Sequence, residues 1–209
     1  MQYETEEQQV EALKEWWAEN GRAVILGIVI GIAIIGAWMW WKTHQENKAI
    51  AASDTFSQSI DALQSGDFAK AAELGSTAQN DHDGSLYAAY TSMAAARAAV
   101  EDGDLEAASS HLQWAVDNAT LDDVSTIAKV RLARVKAAMG DASAGLNVLP
   151  DSYDDAFKAL VEEARGDLHV VAGDAAAARA AYQIALDAEG VPDINSLRMK
   201  FNELAAVGG

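Results

Sequence analysis

Apolar and polar positions follow a different rhythm in each successive part of this chain. Near the start, in "TEEQQVEALKEWWAEN", Val10, Leu13, Trp16 and Trp17 fall on one helical stripe with acidic and amide side chains opposite. That spacing predicts a short amphipathic helix. Thr5 and Gln8 stand at capping-box separation ahead of it, and Asn20 and Gly21 are helix-stop residues, so the chain is expected to turn there. The apolar face can rest on a membrane surface or dock on a partner, and its Glu-rich reverse side disfavours simple adhesion to anionic lipid.

The rhythm then disappears. Residues 23–41, Ala23 to Trp41, contain no charge. As a helix rising about 1.5 Å per residue, the segment matches the roughly 30 Å of a bilayer's hydrocarbon. A removable signal has a basic start, a shorter apolar core and a small-residue cleavage site. Here an acidic stretch precedes the run, and Trp38, Trp40 and Trp41 close it. Indole rings suit the water–lipid boundary, so a permanent transmembrane helix is predicted. Gly27 and Gly31 form a GxxxG pair that Ala23 extends backwards by four, a stripe on which another membrane helix can pack closely.

From residue 42 to 209 the helical period returns, in an alanine-rich stretch without alternating β-branched runs. Gly-Asp recurs in "SGDFAKAAELG", "DGDLEAASSHL", "MGDASAGLNVL" and "AGDAAAARAAY", with glycines at 66, 103, 140 and 173 and spacings of 37, 37 and 33. Gly-Asp both ends one helix and caps the next. Five residues after each glycine stands Ala71, Ala108, Gly145 or Ala178, and twelve after it Ala78, Ala115, Ser152 or Ala185. Small residues at fixed offsets let neighbouring helices approach, which predicts stacked helical hairpins of the tetratricopeptide kind, whose period is about 34 residues. The last copy matches best, with Gly166, Ala178, Tyr182 and Ala185; Ser59, Ala96 and Ala133 fill the Gly166 slot in earlier copies, and Gly75 replaces a bulky residue. "INSLRMKFNELAA", with Ile194, Leu197, Phe201 and Leu204 on one stripe, reads as a closing helix. The predicted class is all-α: one transmembrane helix, then a helical-hairpin solenoid.

Charge narrows the function. Fifteen basic against 32 acidic residues give a net charge of −17, which repels nucleic acid and anionic headgroups. Lys14 and Arg22 before the span nearly balance Lys42 and Lys48 after it, so basic residues barely vote on orientation. There is no cysteine, no Gly-rich phosphate loop, no GxSxG and no HExxH. Asp81, His82 and Asp83 in "NDHDGS" read as loop and cap chemistry, and His44, His111 and His169 are isolated. No catalytic, cofactor or metal site is predicted. An interaction surface is. In a tetratricopeptide-like stack the inner wall comes mainly from the first helix of each hairpin, which points to Tyr87, Tyr90, Met93 and Arg97, and to Arg131 and Arg134. The competing reading places the tyrosines and Met93 in the core between hairpins and leaves the arginines as surface solvation.

Taken end to end, the chain resembles the ancillary SecYEG translocon subunit family, the YfgM-like proteins of Gram-negative bacteria. The resemblance is carried by "QVEALKEWWAENGRAVILGIVIG", "IAKVRLARVKAAMGDASAGLNVL", "RGD" at 165–167 before "ARAAYQIAL", and "MKFNEL". It implies a single-pass inner-membrane protein with residues 1–22 cytoplasmic and residues 42–209 periplasmic. It further implies the SecYEG channel and the periplasmic chaperone PpiD as partners, and brings no catalytic residues to transfer. The function expected is a tethered, non-enzymatic interaction platform whose hairpins bind an exported polypeptide or a chaperone beside the channel. The alternative function is a scaffold or assembly factor for another envelope complex, without contact to exported chains.

Overall fold

The computed structural model describes residues 3–207, and the side chains of residues 8–204. Among the described residues it contains nine α-helices, one 3-10 turn and no strand. The chain divides into two compact units, one up to Lys48 and one from Ala49 onward.

The described residues of the first unit lie within helix α1 (Tyr3–Ser65). The expected turn at Asn20–Gly21 is absent, because both residues are absorbed into the helix. Asn20 donates its side-chain amide to the Trp16 carbonyl one turn back, at 3.0 Å. Gly21 lies under the Trp17 indole, where a Cβ would stand 3.2 Å from the ring. One helical glycine costs only about 1 kcal/mol, too little to break a helix that runs straight into an apolar span. The described part of α1 already includes Thr5, whose side chain, and with it the expected capping box, lies outside those described. Val10, Leu13, Trp16, Trp17 and the large apolar residues from Ile25 to Trp41 are exposed. A soluble core helix would bury them, whereas lipid covers a spanning one. At Gly27 and Gly31 a Cβ would meet nothing within 4 Å, so the small-residue stripe with Ala23 stands open.

The second unit builds four hairpins and a closing helix. The end of α1, from Ala49, packs on α2 (Phe68–Asp81) through Ala62 and Leu63 against Phe68, Ala71 and Leu74; α3 (Leu86–Glu101) pairs with α4 (Leu105–Asn118); α5 (Asp122–Ala138) with α6 (Ala142–Val148); and α7 (Lys158–Val171) with α8 (Ala175–Leu186). α9 (Ile194–Val207) packs on α8. The four Gly-Asp pairs that begin at 66, 103, 140 and 173 make the same turn. After α3, Gly103 takes φ +84° and donates to the Val100 carbonyl, while Asp104 N–H reaches back to Ala99 at 2.8 Å. The Asp104 carboxylate then accepts the Ala107 N–H at 2.8 Å and starts α4. Two residues thus satisfy orphan groups of both helices.

The small residues do pack at the helix crossings. Ala71, Ala108, Gly145 and Ala178 are buried, as are Ala78, Ala115 and Ala185. Ser152 is the exception: α6 stops at Val148 and Ser152 is exposed. Pro150 offers no N–H and drives Leu149 out of the helical region, to ψ 138°, which truncates the second helix of that hairpin. Phe157 and Tyr153 pack from the following loop in its place, and the Tyr153 hydroxyl donates to buried Glu162 at 2.7 Å. In the closing helix Leu197 is buried and Phe201 and Leu204 are half-buried, while Ile194 at its start stays exposed.

Candidate protein-binding groove

α3 carries buried alanines on almost every side, and packs chiefly on α2 and α4, while α5 packs on α4 and α6. Direct contact between α3 and α5 is slight, so the wall made by α1, α3 and α5 is left unfilled. The result is a groove of about 550 Å³. Its floor is apolar: Phe56, Ile60 and Leu63 from α1, Tyr90, Met93 and Ala94 from α3, Leu112 from α4, and Ile127 from α5. Arg97, Arg131 and Arg134 line it as well.

The residues singled out in the sequence divide among three situations. Met93 is 3% exposed and belongs to the core cluster with Leu112 and Leu132, yet its side chain also forms part of the groove floor. Tyr90 is half-buried at the same place. Tyr87 does not line the groove; its ring lies 5.9 Å from that of Phe56 and helps to hold it. Arg97, Arg131 and Arg134 are exposed and line the groove. Phe56, Ile60 and Leu63 were overlooked, although their spacing of four and three residues is a helical stripe readable in the sequence.

Electrostatically the groove inverts the character of the chain. Partial burial, and then the positive charges of Arg97 and Arg134, hold the Arg131 guanidinium below its ordinary value, though it remains a cation at neutral pH. Arg97 pairs loosely with Glu101 at 3.8 Å, both side chains being exposed, and Arg134 reaches Asp167 at 3.5 Å. Among the described residues no carboxylate lies within 4 Å of Arg131. Asp167 is itself committed: it accepts from the Tyr182 hydroxyl at 2.9 Å and from the Lys200 ammonium at 2.8 Å. Reversal of Arg134 would therefore disturb a structural network as well as the groove, and Arg131 with Arg97 is the cleaner pair to alter.

The other polar candidates are occupied structurally. His82 caps α2, with Nε2 3.2 Å from the Thr55 hydroxyl. His111 Nδ1 takes a bond of 2.9 Å from the Gln79 amide, and burial lowers its pKa. Among the described residues no group of three His, Asp or Glu side chains is placed to hold a metal ion.

A family model described as a tetratricopeptide repeat-like domain matches residues 14–206. The ancillary SecYEG translocon subunit of Escherichia coli (strain K12) is 31% identical over 206 residues, covering 97% of this chain and 98% of that protein. The proteins of that name from Haemophilus influenzae and Aggregatibacter actinomycetemcomitans are each 28% identical over 199 residues, covering 95% of this chain and 97% of theirs. No solved structure matches the chain significantly. Alignments of this extent take in the apolar span and the hairpins alike; with one helix among the described residues long and apolar enough to cross a membrane, the chain is a single-pass membrane protein and belongs to the family of ancillary SecYEG translocon subunits.

Proposed function

We propose that this protein is a non-catalytic inner-membrane subunit of the SecYEG translocon, with its amino terminus in the cytoplasm and its hairpin domain in the periplasm. The groove docks a segment of a periplasmic chaperone such as PpiD, or of an emerging polypeptide, and so helps to pass exported chains onward. The observation that carries this reading is the unfilled wall of α1, α3 and α5: about 550 Å³ of apolar concavity rimmed by arginine. Stacked hairpins commonly bind extended or helical segments on such a wall. The names of the relatives supply the translocon. The Ala23, Gly27 and Gly31 stripe supplies a second contact, inside the bilayer.

Two measurements test the assignment. Protease added to spheroplasts is expected to digest the domain after the span; digestion only after the inner membrane is breached would contradict the orientation. Gly27→Leu with Gly31→Leu keeps the span apolar, and neither site has a neighbour to clash with. The variant is expected to insert normally but to recover SecYEG or PpiD several-fold less well after mild detergent. Undiminished recovery would mean that the hairpin domain alone carries the association.

A further inference from the structure

We propose that the groove takes an acidic, apolar segment of a partner polypeptide, with its carboxylates on Arg131 and Arg97 and an aromatic or aliphatic side chain on the floor formed by Phe56, Ile60 and Met93. The proposal rests on the docking role above and names the class of segment docked.

Three features lead to it. The first is the placing of charge. In a chain with 15 basic and 32 acidic residues, three arginines converge on one cavity, and mutual repulsion is among the causes that hold Arg131 below its ordinary value. Like charges brought together repel one another, and an incoming carboxylate relieves that repulsion. The second is the incomplete neutralisation. Arg134 is tied to Asp167 and Arg97 only loosely to Glu101, while Arg131 has no carboxylate within 4 Å among the described residues. A guanidinium offers a planar fork of donors matched to a carboxylate, and its stem tolerates apolar surroundings. The third is size. A volume of about 550 Å³ accommodates one or two bulky side chains beside the arginines rather than a folded surface. The chain as a whole is strongly acidic, so attraction at this groove also sets register and disfavours misplaced binding.

The test uses the full-length protein in detergent micelles and fluorescein-labelled 12-residue peptides, read by anisotropy at low salt. One peptide alternates glutamate pairs with phenylalanine and leucine. A second carries glutamine for glutamate, a third lysine for glutamate, and a fourth serine for the apolar residues. The glutamate peptide is expected to bind, and the glutamine and serine forms to bind about tenfold more weakly or worse. Arg131→Glu with Arg97→Glu is expected to weaken the glutamate peptide by at least about tenfold and to improve the lysine peptide, with helical circular dichroism and melting unchanged. Arg131→Gln, which adds no new charge, gives an intermediate loss and guards against misfolding of the double variant. Equal binding of the glutamate and glutamine peptides overturns the proposal, as does no binding by the wild-type protein or binding indifferent to both arginine variants. So does complete displacement of the probe by a peptide of residues 198–209, which would seat a second copy of this chain in the groove. Loss of charge selectivity with retained recovery of SecYEG strikes only this inference, whereas loss of that recovery in the wild type strikes the docking role itself.

Discussion

Gly166→Ala is expected to lower the stability of the hairpin domain by about 2–4 kcal/mol. Gly166 lies on α7 at its crossing with α8, where a Cβ would run into the Tyr182 ring. That ring is 2% exposed and cannot swing aside freely, since its hydroxyl is held by Asp167 at 2.9 Å. The new methyl must therefore separate the helices or break that bond. Chemical denaturation followed by circular dichroism measures the loss. The double variant Gly166→Ala with Tyr182→Leu is expected to lose less than the sum of the two single changes, because the smaller side chain vacates the space the methyl needs. Additive losses would show that the crossing is not the cause. The same substitution at Gly27, where nothing lies within 4 Å, is expected to leave stability unchanged or slightly raised.

Asp167→Ala is expected to cost about 2–3 kcal/mol at neutral pH and to loosen the closing helix first. The carboxylate joins α5, α7, α8 and α9 through Arg134, Tyr182 and Lys200. Its loss leaves a buried phenol without an acceptor and Lys200 with Glu163 alone, at 2.7 Å. Hydrogen exchange should rise in α9 before it rises in α3 or α5; uniform acceleration would contradict this order.

The same network predicts an alkaline limit. Burial, then the charge and hydrogen bond of Asp167, raise the pKa of Tyr182. For Lys200 burial acts downward, but hydrogen bonds to Asp167 and Glu163 outweigh it and raise the value. The Tyr153 phenol, half-buried against Glu162, is pushed up to about 12. Groups raised in the folded state give their full stabilisation below their unfolded values, near 10. That contribution is lost as pH rises through the folded values, so the wild-type protein weakens above about pH 10 and Asp167→Ala weakens less steeply.

What could be read from the sequence was whatever one or two turns of helix decide. Each of the four Gly-Asp pairs spaced by 37, 37 and 33 residues carries its own instruction, a left-handed residue followed by a capping carboxylate, and all four hairpins turn where those pairs stand. The buried small residues were legible for the same reason. Ser152 was not, because the repeat offset carried past Pro150, two residues earlier, which ends the helix before the offset is reached. Asn20–Gly21 misled in the opposite sense, since a stop signal is weak against helix on both sides. Tertiary pairings left no local trace: Lys200 meets Asp167 from 33 positions away, and Phe56 enters the groove from the end of a helix that begins before the membrane span.

The central claim is that the wall of α1, α3 and α5 receives a partner segment beside a working channel. A photo-reactive residue at Ile60, on the groove floor, and another at exposed Glu106, on α4, allow a direct comparison in living cells. Cross-links are recorded with the SecYEG channel occupied by an arrested export substrate and again with it idle. Adducts to a chaperone or to the exported chain are expected from Ile60 and not from Glu106, and more of them when the channel is occupied. Equal adducts from both positions, or from Ile60 regardless of occupancy, would contradict the account and leave the domain as a scaffold indifferent to export.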